Sequence, residues 1–372
     1  MQCKSLNNID NLSVVLVFFL FFVISLIMMY PLVLNLNISL PDAWDSIHNL
    51  WILRWIQHCY FNPFLVFNTN IMYPLQLTGT YAEMQYANAL LGAPIYIITK
   101  NPITMYNCLV ILSFTLSAFA VFLICNKIFR NIALAILGGV IFSFFPLKFV
   151  HLPHIQLLTC QWMLFSFYYL MKYFENKNIR NLFAFSIFFV AQGITFGYLT
   201  IMMIIMCSTY ITYQFIFVID EQMKRYGKEI AISGGVVLGI ILVFYIPYII
   251  QFLSGFVRSI NDAKLYGIDL IHFVSVPENN YLYGDLLQYI RKMGFGGLPN
   301  PNLGSVFPGF VVSILVCIGI MAVFLRIYRK VVTSGRKRFE WKIIKESMRV
   351  DKSGIFLDDL CCICRIVKSI VL

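Results

Sequence analysis

The sequence predicts an all-α membrane protein of about eight transmembrane helices, with an interfacial helix in a large first outer loop. Three observations predict it. Hydrophobic residues make up 60% of the 372 positions and charged residues 12%, whereas a soluble domain is roughly half apolar and a quarter charged. Apolar runs long enough to cross a hydrocarbon core recur along the chain. The basic residues between those runs cluster on one side of an alternating path, as in chains inserted into a membrane.

The runs are 12–32, 104–125, 131–148, 156–174, 181–196, 198–219, 229–252 and 308–328. Only Lys4 precedes the first run and no small-x-small site follows it, so it reads as an uncleaved anchor rather than a signal peptide. Ala87 to Thr99 is apolar but short and is expected to tilt or insert partway, with a turn at Thr99–Pro102. Gly193 and Gly197 mark the break between the fifth and sixth runs. Residues 1–328 then form one polytopic domain, and 329–372 a basic cytoplasmic tail.

The net charge is +11. In a soluble protein this would suggest nucleic acid, but its placement excludes that partner. Lys127 and Arg130, then Lys172, Lys177 and Arg180, then Lys224, Arg225 and Lys228, then the run from Arg326 to Lys345, all fall on one side of an alternating eight-span path. This is the positive-inside pattern with both termini cytoplasmic, and it leaves membrane lipids as partners of the basic tail. The ten cysteines lack zinc or disulfide spacing. Those within runs behave as small apolar groups, and Cys361, Cys362 and Cys364 read as free cytosolic thiols.

On this path the segments 33–103, 149–155 and 253–307 lie outside. All five histidines (His48, His58, His151, His154 and His272) fall there, with Asp42, Asp45 and Glu83. Ionisable groups at a membrane edge are costly to keep unless they meet a substrate, so an extracytoplasmic site is expected. Asp45, Glu83 and Asp42 are the catalytic candidates. Residues 44–60 are expected to form the interfacial helix, with Trp51 and Trp55 at headgroup depth and Asp45 projecting from its start toward a cavity. Asp45 and Glu83 also fit a simpler role, as first-turn charges favoured by a helix dipole.

His151-Leu152-Pro153-His154-Ile155-Gln156 precedes another helix, whose start Pro153 suits, and Gln161-Trp162 follow about one turn later. Two histidines with first-loop carboxylates could hold a divalent metal, or bond phosphate and sugar oxygens. The second reading is favoured, so no metal ligand is assigned and the cofactor is left open. HExxH, paired CxxC, Walker and dinucleotide-loop patterns do not occur in the chain. Ser254 to Phe307 is turn-rich and reads as a lid, an acceptor-binding loop or a connector.

Asp45 with Asn49-Leu50-Trp51-Ile52-Leu53-Arg54-Trp55, Ile71-Met72-Tyr73-Pro74, Tyr81-Ala82-Glu83, the His151–Leu158 motif with Gln161-Trp162, Pro277-Glu278-Asn279 with Leu282-Tyr283-Gly284, and Phe307-Pro308-Gly309 together resemble bacterial membrane proteins of the GT-C glycosyltransferase superfamily. The resemblance spans about residues 12 to 328. It implies transfer of a sugar from a polyprenyl-phosphate donor to an acceptor on the outer face of a bacterial cytoplasmic membrane. The first-loop carboxylate role carries over to Asp45, with Asp42 as rival; Glu83 matches a second acidic position; His151, His154 and Gln156 match a later polar motif.

Two departures stand out. The acidic pair is Asp42-x-x-Asp45 rather than Asp-x-Asp, and Asn302-Leu303-Gly304-Ser305 stands where relatives often have Gly-Glu. Relatives also often carry further spans, so the resemblance implies a shortened member. In the implied chemistry Gln161, Trp51, Trp55, Arg258 and Arg291 join the histidines in binding substrate. Rival readings are a flippase or transporter of lipid-linked sugars and a non-catalytic membrane scaffold.

Overall fold

A computed structural model describes residues 11–60, 62, 65–218, 223–256, 284–285 and 308–333, and among these the chain is helical with no strand. The helices are α1 (Asn11–Met28), α2 (Asp45–His58), α3 (Tyr86–Thr99), α4 (Pro102–Phe129), α5 (Ile132–Ser143), α6 (Pro146–Val150), α7 (Ile155–Leu158), α8 (Gln161–Asn176), α9 (Ile179–Gly193), α10 (Gly197–Phe217), α11 (Met223–Leu253) and α12 (Phe310–Thr333). Each of the eight sequence runs falls on a helix or on a pair of consecutive helices. By length and apolarity, four stretches among the described residues suffice to cross a membrane: Pro102–Phe129, Ile132–Val150, Gly197–Ile216 and Tyr226–Leu253. Leu12–Met28, Ile179–Gly193 and Phe310–Leu325 are apolar but shorter.

α4 is the central post. It packs against α1, α3, α5 and α8, and its 28 residues would reach about 42 Å at 1.5 Å per residue. Its start is fixed chemically. The Asn101 side chain accepts the Ile103 and Thr104 amides at 2.8 and 3.1 Å, and Pro102 occupies the first helical position, where no amide is needed. Arg130 ends it in the left-handed region at φ 50°.

Around this post lie separate apolar layers. Val17, Phe21, Ala118, Phe122 and Ala135 join α1, α4 and α5. Leu170, Tyr173, Phe185, Phe189, Met203 and Ile241 join α8 to α11. The largest layer sits at one end, where Ile52, Leu53 and Ile56 of α2 pack with Met105, Tyr106, Leu109 and Phe114 of α4.

The α4–α5 hairpin depends on close approach. A Cβ at Gly139 would stand 2.6 Å from Phe21 Cζ and 2.7 Å from the Ala118 carbonyl oxygen. The backbone oxygen cannot rotate away, so Gly139→Ala is expected to destabilise the fold by about 1–3 kcal/mol. Denaturant titration of the purified variant in mild detergent checks this, and an unchanged midpoint would show that the helices separate freely.

Side-chain ties sort the connections to two ends of the bundle. At one end, Lys127 of α4 pairs with Glu175 of α8, the Tyr173 hydroxyl donates to Glu229 at 2.7 Å, and Lys177 lies over the Tyr226 ring at 4.2 Å. At the other, the Asn107 side chain holds the carbonyls of Leu36 and Ser39 at 2.9 and 2.7 Å. The Tyr86 amide there meets the Ile194 carbonyl at 3.2 Å, and the Tyr248 hydroxyl donates to the Ala82 carbonyl at 3.0 Å. Both ends of α3 belong to this second end, because Asn101, just past it, donates to Asn37 at 2.9 Å. The second end also carries His151, His154, Asp45 and Glu83.

Candidate functional site

α2 begins with a reciprocal cap. Asp42 Oδ1 accepts the Ser46 amide at 2.7 Å and Oδ2 the Asp45 amide at 3.3 Å, while Ser46 Oγ accepts the Asp42 amide at 3.3 Å. Burial alone would raise the Asp42 carboxyl, but the hydrogen bonds from Ser46, Asp45 and Trp44 outweigh it and hold the group below the usual carboxylate range. Its carboxylate oxygens are engaged by the helix start. Asp42 therefore serves as a helix cap.

Asp45 is free for other work. Its carboxylate points outward, 54% exposed, and meets His154 Nε2 at 3.3 Å. The His154 ring stands edge-on to His151, 5.6 Å between centroids, and the Nδ1 atoms of both are buried with no hydrogen-bond partner among the described residues. Burial, and next the neighbouring His154, push the His151 imidazole below its ordinary value of 6.5. The fold thus stabilises neutral His151 relative to the unfolded chain. That contribution is complete above about pH 6.5 and is lost as pH falls from there through the depressed folded value. Lowering the pH from 7.5 to 5.5 should therefore reduce the melting temperature of the wild type, and the reduction should shrink in His151→Gln. Equal acid sensitivity in both proteins would show that other groups carry it.

Behind this pair runs a buried polar ladder. Asn49 Nδ2 donates to the carbonyls of Asp45 at 2.9 Å and Pro153 at 3.0 Å, so α2 is pinned to the His-Leu-Pro-His turn. The Tyr106 hydroxyl donates to the same Pro153 carbonyl at 2.8 Å. Gln85 Nε2 donates to Asn49 Oδ1 at 2.6 Å and to Gln156 Oε1 at 3.5 Å. Asn88 Nδ2 donates to Gln85 Oε1 at 3.2 Å and Thr159 Oγ1 at 3.1 Å, and Asn88 Oδ1 accepts from Trp162 Nε1 at 3.3 Å. In a low-dielectric interior such a network orients its members strongly when satisfied. It fixes where Asp45 and His154 meet.

The other sequence candidates divide. Gln156 belongs to the ladder. Gln161 is fully buried, both of its amide atoms without partners among the described residues. His48, Trp51, Trp55 and His58 form a column of ring contacts along α2, with centroid separations of 6.2, 6.1 and 5.6 Å. Trp55 Nε1 donates to the Val66 carbonyl at 2.9 Å, which ties down the loop after α2. The opposite face of α2 is buried, as Ser46, Asn49, Ile52, Leu53 and Ile56 show. Arg258 and Arg291, most of the 253–307 segment and the tail cysteines lie outside the described residues.

Glu83 goes elsewhere. It lines a cavity of about 340 Å³ together with Thr80, Tyr81, Thr195, Tyr245 and Tyr248, and neither Asp45 nor either histidine is part of that wall. Asp45 and Glu83 thus occupy distinct settings at the same end of the bundle, linked by the Asn49–Gln85 step of the ladder. Among the described residues, no group of three or more His, Cys, Asp or Glu side chains is disposed to hold a metal ion.

Three buried groups were missed at the level of sequence. Gln85 and Asn88 interrupt the start of an otherwise apolar helix, and that interruption was their signal. Lys148 stands alone in an apolar run, buried against the rings of Phe114 and Phe142 at 4.8 and 5.8 Å. A lone cation at membrane depth is itself a functional pointer. Compared with family models, characterised proteins and solved structures, the chain gives no match.

Proposed function

We propose that this chain is a polytopic glycosyltransferase of GT-C type, moving a sugar from a polyprenyl-phosphate donor to an acceptor hydroxyl at the outer face of a bacterial cytoplasmic membrane, with about eight spans and both termini cytoplasmic. The observation that carries the reading is the Asp45–His154 contact of 3.3 Å, an exposed carboxylate against an imidazole, at the bundle end opposite the Lys127–Glu175 pair.

The chemistry asks little else of the protein. The acceptor oxygen attacks the anomeric carbon while Asp45 takes its proton. The bond from that carbon to the phosphate oxygen breaks, and its electron pair leaves on prenyl phosphate. His154 orients Asp45, and the neighbouring His151 can donate a hydrogen bond to the departing phosphate. The exposed apolar sides of α10 and α11, including Ile201, Ile205 and Leu242, are surfaces that prenyl and lipid chains can cover in a membrane. Membrane lipids cover the rest.

The test uses the full chain in liposomes loaded with a polyprenyl-phosphate sugar labelled in the sugar. Release of label to water or to an added alcohol acceptor supports the transferase. Movement of intact labelled lipid between leaflets without cleavage would replace it with a flippase, and neither event would leave a scaffold.

A further inference from the structure

We infer that the cavity walled by Glu83 is a receptor for the organic ammonium group of an amphiphile. Six rings stand around it: Tyr81, Tyr198, Phe244, Tyr245, Tyr248 and Phe256. Glu83 supplies its negative charge, and among the described residues no lysine, arginine or histidine is in the wall. Among the described residues the Glu83 carboxylate has neither an ion pair nor a hydrogen bond. A half-buried carboxylate without a cation, ringed by aromatic faces, is the complement of a soft, weakly hydrated cation. The rings attract it through their quadrupoles, and the carboxylate neutralises it.

The wall is built rather than accidental. The Tyr248 hydroxyl donates to the Ala82 carbonyl at 3.0 Å and accepts the Met84 amide at 3.1 Å, so it brackets Glu83 on both sides. Gln251 Nε2 holds the Tyr81 hydroxyl at 3.3 Å, and the Tyr81 ring stacks on Phe256 at 4.3 Å. Ile194 and Ile201 complete the wall. Ile201 is 55% exposed on the side of α10, so an alkyl chain attached to the cation could leave the cavity along an apolar helix. The size fits a trimethylammonium group with the first part of its chain.

This inference is independent of the transferase reading, because it is tested by binding alone without a sugar donor. Full-length protein in a non-ionic detergent is titrated with dodecyltrimethylammonium by calorimetry, beside dodecanol as a neutral chain of equal length. The cation should bind and the alcohol should not. Glu83→Gln should weaken binding roughly tenfold or more and Tyr245→Leu several-fold, whereas Glu83→Asp, which keeps the charge, should retain most of it. Equal binding of the neutral chain, or equal affinity in Glu83→Gln and the wild type, overturns the proposal. So does equal loss in Glu83→Asp and Glu83→Gln at unchanged melting temperatures. Competition by lysophosphatidylcholine would make the natural source a lipid headgroup, competition by tetramethylammonium alone would make it a free cation, and competition by neither also overturns it.

Discussion

Asp45→Asn is expected to lower sugar transfer by roughly 100- to 10,000-fold, the range over which a positioned general base contributes, while the protein folds and inserts normally. The two halves of this expectation come from different observations. The carboxylate is the exposed group of the Asp45–His154 pair, so a proton can be delivered to it. Because the pair is exposed, its contribution to stability is small; ion pairs of that kind are typically worth about 0–1 kcal/mol. The helix start is not at risk either, since its amides are capped by Asp42 and not by Asp45. Transfer assays on proteoliposomes, with circular dichroism and melting on the same preparation, check both halves. A variant that melts with the wild type and still transfers at the wild-type rate would remove Asp45 from the mechanism.

The second large effect is on stability. Gln85→Leu is expected to cost about 3–5 kcal/mol. Gln85 is fully buried. Its removal strands Asn49 Oδ1, which now accepts at 2.6 Å, and takes one acceptor from Asn88. Each buried polar atom left without a partner costs about 1–3 kcal/mol, and the leucine cannot fill the polar space. The interaction should also be non-additive: Gln85→Leu combined with Asn49→Leu should cost less than the two singles together, by about 0.5–3 kcal/mol. Denaturant titrations of the three variants measure this. A cost below about 1 kcal/mol for Gln85→Leu would mean that water satisfies the ladder and that the turn carrying His154 is positioned by something else.

The ladder also explains what was hidden in the sequence. Asp42 and Asp45 are equivalent to the eye: two carboxylates beside one helix start. Only the backbone path shows that Asp42 folds back onto the Ser46 and Asp45 amides while Asp45 faces outward. Asp45 and Glu83 are both first-loop carboxylates and read alike as catalytic candidates. The fold gives Glu83 to a cavity built with α11, because Tyr248, more than 160 positions further on, clasps the backbone on both sides of it. No local pattern carries that pairing. His151 and His154 were legible as a motif, and their junction with α2 was not, since it runs through Asn49 and the Pro153 carbonyl.

What the sequence determined by itself is the helical class: long apolar runs must become helices when no water is present to satisfy their backbone. The stretch Thr99–Pro102, read as a turn, also holds the start of α4, where Asn101 caps and Pro102 opens the helix, a matter of neighbours within one turn. Which carboxylate meets an imidazole, and which is left facing aromatic rings, was decided by tertiary structure alone. Those outcomes depend on hydrogen bonds between residues 36 to 166 positions apart, and contacts at that separation are set by how helices pack, not by the period with which their residues repeat.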